Sequence, residues 1–452
     1  MHSGTDLFVE KRKEGGWKMS SVLVAKLCVL FGVLFLTMFL RFPFFLACFS
    51  AAIAYAVGFP RAMPWFVFGQ TFVQGIGNQT YAAIIFYFFL GSVLNYGGIG
   101  DRIVDFGNAA IGHVKGALSH INVITSMIFA GVSGSAIADT ASVGNLMIPM
   151  MKKQGYDAPY SAAVTQVSSI IGPIIPPSTT FVFISMMMDL SVRKLFLCGL
   201  VPGILMGLAE LAYSIFISYK RNYPGLPKFL GWKNLWRAFK ENFWALLLPV
   251  LIIVCLTNGI GTVTEVGAIG CVFALLISCF IYKELDLKGI WKCMYKTAEQ
   301  MATTLAMLGA VTVFIWIVGS MNFGNILGAW VSGLGLSRMA VFLLAMLIIF
   351  ILGMILETMV ITMIFIPILS IPVIAAGIDP YVYAVAAAIT CALGLNTPPV
   401  GTLLYLTSKI ANTSALKVAK ESMPFIIGIL LVVVLMGAFP QIVLWYPTTF
   451  MA

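Results

Sequence analysis

The chain has 452 residues, 60% hydrophobic and 10% charged, with a mean hydropathy of +0.99, and a soluble protein of that size needs a more polar surface. Apolar runs of spanning length from Ser21 to about Trp445 mark a polytopic helical membrane protein and argue against a barrel, whose strands alternate. The net charge of +10 sits in short loops between spans, which favours loop orientation and anionic lipid over nucleic acid as its cause.

In chain order, residues 1–20 form a polar, interfacial segment with Lys11, Arg12, Lys13 and Lys18 ahead of the first apolar run. No small-residue cleavage site follows, so the segment is either an interfacial helix or an upstream start with Met19 as the first residue. A first repeat is expected over 21–219, with a hairpin and a broken helix at about 115–190. A basic cytoplasmic connector, 220–242, carries Lys220, Arg221, Lys228, Lys233, Arg237 and Lys240. A second repeat is expected over 243–441, with its hairpin and broken helix at about 340–410, and 442–452 is a tail. The eight cysteines show no paired spacing, lie mostly in apolar runs and read as small hydrophobes.

The repeat rests on an offset of 222 residues. Pro176-Pro177 recurs as Pro398-Pro399, and Gly131, Gly155, Asp157, Ala162, Gly172 and Thr180 map onto Gly353, Gly377, Asp379, Ala384, Gly394 and Thr402. Equivalent loops differ in charge. Stretch 59–80 has only Arg61, whereas 281–302 has Lys283, Lys288, Lys292 and Lys296. Lys220, Arg221 and Lys228 follow the first half, whereas 441–452 has no basic residue. The positive-inside rule then puts equivalent loops on opposite sides, as inverted-topology repeats require. The basic N-terminal segment points the other way.

Each diproline breaks its helix chemically. Proline lacks an N–H, so the carbonyls of Gly172 and Pro173, and in the second copy of Gly394 and Leu395, are expected to lose their donors. At membrane depth such carbonyls must be buried in protein or line a polar site, where a cation satisfies them. Ser178, Thr179 and Thr180 open a new helix whose N–H groups suit an anion, and Asn396 and Thr397 add oxygens at the second break. Two hairpin tips, 130–136 with Ser133 and Ser135 and 352–358 with Gly353 and Glu357, complete the halves. Asp139, Glu210, Glu265 and Glu357 are the acids at membrane depth. Glu357 falls at the repeat position of Ser135, Glu265 suits a helix cap as well as a site, and Glu210 has no evident partner.

With these residues in view, segments 131–144, 148–157 and 172–178, then 353–357, 377–380 and 397–401, resemble the large membrane subunit of tripartite ATP-independent periplasmic (TRAP) transporters, in family order and over about 21–447. Thr264-Glu265 falls in a further family motif. The resemblance implies a multi-pass protein of the bacterial inner membrane, all-α, with two inverted repeats arranged as a scaffold and an elevator-type transport domain. It implies sodium-coupled import of a small organic anion, a carboxylate or sulfonate. A periplasmic substrate-binding protein and a small four-helix membrane subunit, here a separate chain, are the implied partners. Matching positions give one Na+ site from Ser133, Ser135, Gly172, Ile175 and Pro177, and another from Gly353, Glu357, Gly394, Thr397 and Pro399. The anion falls near Ser178, Thr179 and Asn396, and Asp139 remains a further intramembrane acid. Departures from the pattern are Glu357-Thr358 for an acid followed by Pro, Arg41-Phe42-Pro43 for Gly-x-Pro, Val263 for a frequent Pro, and the added Asn396.

Two rivals remain at this level. A related sodium/anion symporter without a binding protein shares the broken helices and hairpins. An intramembrane protease is suggested by Gly131-Val132-Ser133-Gly134, but the histidines, His2, His113 and His120, all precede Ser133. Asp101, in Gly98-Ile99-Gly100-Asp101, adjoins Arg102 and reads as a solvated loop. The sequence therefore predicts no enzyme and no organic cofactor.

Overall fold

The computed structural model describes residues 9–11, 17–19, 21–40, 42–77, 81–133, 135–225 and 231–451, without the side chains of 9–11, 17–19, 101, 130–133 and 138. The described residues are helical except for turns and a two-stranded antiparallel ladder, Val9–Lys11 against Trp17–Met19. That ladder stands where an interfacial helix was one expectation.

Seven helices among the described residues are long and apolar enough to cross a membrane: Ser21–Phe39, Val192–Lys220, Trp232–Asn258, Val263–Ile281, Leu287–Ser320, Thr358–Ala375 and Ala415–Ala438. The chain divides into two compact units, one from 1–79, 299–341 and 371–377, the other from 80–298, 342–370 and 378–452. The first unit packs closely through small residues and rings. Gly309 lies under Phe72, and Phe31 meets Phe314 edge-on at 5.5 Å.

The second unit holds both diproline segments. The helices that bear on them are α1 (Ala117–Ser133), α2 (Ala136–Lys153), α3 (Ala158–Ser169), α4 (Thr179–Met188), α5 (Val192–Lys220), α6 (Arg338–Gly353), α7 (Thr358–Ala375), α8 (Pro380–Gly394), α9 (Thr402–Ala411) and α10 (Ala415–Ala438), of which residues 338–341 of α6 and 371–375 of α7 belong to the first unit. Within α7, residues Ile361–Phe365 are wound as a π-helix. The chain leaves α2 and α7 through Gly155 and Gly377, each at φ +89°, a backbone setting that a side chain disfavours. Aspartates stand at the next helix starts: Asp157 precedes α3 without a side-chain cap bond, whereas the Asp379 carboxylate accepts from the N–H groups of Tyr381 and Val382 at the head of α8.

Helices α3 and α8 form the centre of this unit. Every residue of α3 from Tyr160 to Ser169 is buried, as is every residue of α8 from Val382 to Gly394. Both are rich in Ala and Val, which lets backbones approach, and both pack on α10. The downstream halves of the broken helices cross over. Helix α4 packs on α8 and on the π-turns of α7, and α9 packs on α2 and α3.

Candidate functional site

Neither diproline segment is a continuous rod. Helix α3 stops at Ser169 and α4 begins at Thr179, while α8 stops at Gly394 and α9 begins at Thr402. Both Pro–Pro peptides are cis. Pro176 and Pro177 are buried, whereas Pro398, Pro399 and Val400 are exposed.

Ser178 is the N-cap of α4, and its hydroxyl accepts from Phe181 N–H at 3.1 Å and donates to the Pro173 carbonyl. The Pro173 oxygen, expected to be without a donor, therefore has one: the chain curls back far enough for the cap hydroxyl to reach it. The second break differs. Gly401 is the N-cap of α9, gives no side-chain cap and sits at φ +22°. The first helical residues are thus Thr179 and Thr402, 223 residues apart. The expected Thr180–Thr402 pairing shifts by one because the second copy has one more residue between its diproline and the next helix. The longer offset persists downstream. Asp189 and Asn412 close α4 and α9 in the left-handed conformation, and Ser191 and Ser414 cap the next helices.

The carbonyls expected to be free at the second break also find donors. Gly394 O accepts from Thr397 N–H at 3.1 Å and from the Thr397 hydroxyl at 2.8 Å. Leu395 O accepts from Leu403 N–H at 3.2 Å, because the extra residue lets the head of α9 fold back over the break. Pro399 O accepts from the Tyr405 hydroxyl at 3.1 Å. Pro399 O, with one donor, retains a second lone pair for a cation, whereas Gly394 O and Leu395 O each accept from two donors.

Each hairpin tip meets its own break. A Cβ placed on Gly172 would come within 3.6 Å of the Ser135 carbonyl carbon. One on Gly353 would lie 2.9 Å from Cys391 O and 3.1 Å from the Gly394 Cα, and one on Gly394 would overlap the Gly353 backbone. Only glycine permits that approach. Val400 N–H donates to Met354 O at 3.1 Å, tying the second break to the second tip. The Ser133 side chain lies outside the described residues. Ile175 is buried against Gly203 of α5. Glu357 precedes α7 with a side chain that is exposed in this chain and makes no cap bond. Glu265 forms a capping box with Thr262 at the start of Val263–Leu276, the local alternative to a site.

The two halves are joined by a residue the sequence reading missed. Gln166 of α3 donates to Asn396 O at 3.5 Å and to the Ser422 hydroxyl at 2.6 Å, and accepts from the Thr407 hydroxyl at 3.0 Å. An amide alone in an apolar run was the available signal, since polar groups at membrane depth demand partners. Polar groups without partners mark the same region. The Asn396 amide oxygen and nitrogen, both Asp139 carboxylate oxygens and the Thr140 hydroxyl are buried and make no hydrogen bond. Ser126 and Ser169 stand beside Asp139 without reaching bonding geometry.

Residues 31–442 match the family model of the tripartite ATP-independent periplasmic transporter, DctM component. The chain belongs to the TRAP transporter large permease family. It is 31% identical over 382 residues to the sialic acid TRAP transporter large permease protein SiaM of Vibrio cholerae, covering 84% of this chain and 89% of that one. It is 30% identical over 378 residues to the 2,3-diketo-L-gulonate TRAP transporter large permease protein YiaN of Escherichia coli, with coverage of 84% and 89%. The Alcanivorax borkumensis YdaH transporter, whose topology is described as unusual, shares the fold at a TM-score of 0.61 and 13% identity over 83% of this chain and 88% of that one. The family consists of permeases, not enzymes, and this TRAP permease is a multi-pass protein of the inner membrane.

Proposed function

We propose that this TRAP large permease imports a small organic anion, a carboxylate or sulfonate, together with Na+. The observation that supports this most directly is the cluster of buried polar groups without partners beside the two breaks: the Asn396 amide, Asp139 and Thr140. Leaving an amide or hydroxyl unpaired in an apolar setting costs on the order of 1–3 kcal/mol each, so such groups persist where something binds. The anion is assigned to the head of α4, at Ser178 and Thr179, with Asn396 opposite. A helix N-terminus supplies N–H groups and a favourable dipole end for it. The assigned Na+ ligands are Ser133, Ser135, Gly172, Ile175 and Pro177 at the first break. At the second they are Gly353, Glu357, Gly394, Thr397 and Pro399. The family description makes the assembly tripartite and periplasmic. We accordingly assign a substrate-binding protein and a separate small subunit as partners, and an elevator movement of the domain carrying both breaks.

The test is uptake into proteoliposomes that hold this chain and its small subunit and are supplied with loaded binding protein. Uptake that follows a sodium gradient and stops when potassium replaces sodium is the expected result. Equal uptake in the two salts would remove the coupling from the proposal.

A further inference from the structure

Glu210 stands in the interior of α5, ten residues before its end at Lys220, or about 15 Å along the axis. It is 1% exposed, and neither carboxyl oxygen has a hydrogen-bond partner. Nothing in the anion and cation sites uses it.

The same face of α5 carries Ser214 and Ser218, one and two turns on. Both lie in a chain of contacts that reaches the surface. His120 of α1 has its Nδ1 2.9 Å from the Ser214 hydroxyl and its Nε2 3.1 Å from the Lys115 carbonyl. A carbonyl can only accept, so Nε2 carries the hydrogen, and in the neutral ring Ser214 donates to Nδ1. The Tyr160 hydroxyl of α3 donates to Ser214 at 3.4 Å. Ser218 and Ser119 lie 3.3 Å apart, and Ser119 donates to Gly116 O at 2.7 Å. At the end of the line, Lys115 Nζ donates to the exposed Asn222 at 2.8 Å.

The titratable groups near this face of α5 are Asp139 of α2, an acid close enough to couple to Glu210, and His120 and Tyr160, both of which meet Ser214. Glu421 of α10 is held by Arg221 at the surface end. Tyr383 of α8 and Tyr446 near the C-terminus are bonded to Ile366 and Thr257, and α4 has no titratable side chain. Among the described residues no cation pairs with Glu210. An ionised carboxylate without donors in such a place is costly, whereas the acid is neutral.

We propose that Glu210 is a proton-carrying site that exchanges with water at the Lys115–Asn222 surface through Ser214 and His120. In release, the Glu210 O–H passes its proton to Ser214 Oγ while the Ser214 hydroxyl hydrogen moves to His120 Nδ1. The imidazolium then gives its Nε2 proton to water beside Lys115. Glu210 is left as carboxylate, Ser214 as hydroxyl and His120 as the neutral Nδ1–H ring; loading is the reverse. One rotamer change or one water spans the turn between Glu210 and Ser214, roughly 6 Å.

Infrared spectroscopy of the purified permease with its small subunit tests the site without transport. The wild type minus E210Q difference should contain a carboxylic-acid C=O band, and H120Q should slow its hydrogen–deuterium exchange about tenfold, as expected for loss of one relay group. Identical spectra for wild type and E210Q, or unchanged exchange in both H120Q and S214A, would overturn the proposal. The relay variants keep the test decisive if E210Q fails to fold. The consequence for transport rests on the uptake reading above. At a fixed sodium gradient, wild-type uptake should vary with internal pH, up to the limit of about tenfold per unit for one proton, and E210Q should flatten that profile. A wild-type profile already flat would defeat it. Absence of uptake under every condition would instead count against the uptake reading and leave the infrared result to decide the site.

Discussion

At the scale of single residues, the candidate site is governed by what lacks a Cβ and what lacks a partner. Gly394 and Gly353 touch backbone to backbone, so Gly394→Ala forces a methyl into a contact with no room. The expected cost is about 1–3 kcal/mol, read as a lower melting temperature of the purified protein; an unchanged melt would mean that the tip and the break are not held together this way. The proposed ion sites use the side-chain oxygens of Ser135 and Thr397. Ser135→Ala and Thr397→Ala should each raise the sodium concentration for half-maximal uptake by about tenfold, equivalent to about 1.4 kcal/mol, with expression unaltered. A wild-type sodium response in both variants would take these side chains out of the ion sites.

At the scale of elements, the breaks are kept open by caps as much as by prolines. Ser178 satisfies the head of α4 and the carbonyl left by Pro177 at once. Ser178→Ala should therefore cost about 1–2 kcal/mol, more than an ordinary exposed cap, visible as a stability loss in denaturant or heat. A cost near zero would show that the break holds without its cap. The ends of α3, α5 and α10 are pinned by Arg221, which bridges both Glu421 oxygens at 2.9 Å and Asp157 at 3.2 Å, with the Tyr223 hydroxyl on Asp157 at 2.6 Å. Lysine keeps the charge but not the fork, so Arg221→Lys should lose about 1 kcal/mol of stability. A thermal melt superimposable on wild type would assign that network no structural role.

At the scale of the whole molecule, composition, repeat and family membership converge on a permease that works within an assembly. Uptake should fall to the level of empty vesicles when the binding protein is omitted, even with the sodium gradient intact. Substantial uptake of free anion without it would favour an independent symporter. Much of this was legible beforehand, because the signals are local. Apolar length declares a span, and a diproline must break a helix wherever it stands. Less legible were the carbonyls: losing one donor leaves open which other donor arrives. Leu395 O is claimed by the N–H of Leu403, Pro173 O by the hydroxyl of Ser178, and only the path of the chain around each break decides that.

The amino-acid order alone determined the membrane class, the recurrence of the diproline and the places where those helices stop, since each follows from residue chemistry within a few turns. Tertiary structure alone decided that α9 starts one residue later after its diproline than α4 does, and that Gln166 bridges to Asn396 across 230 positions of sequence. It also decided that Glu210 is buried one helical turn from Ser214, which meets His120. Those outcomes depend on which helices pack side by side, and partners so far apart along the chain leave no periodic or neighbouring trace of the choice.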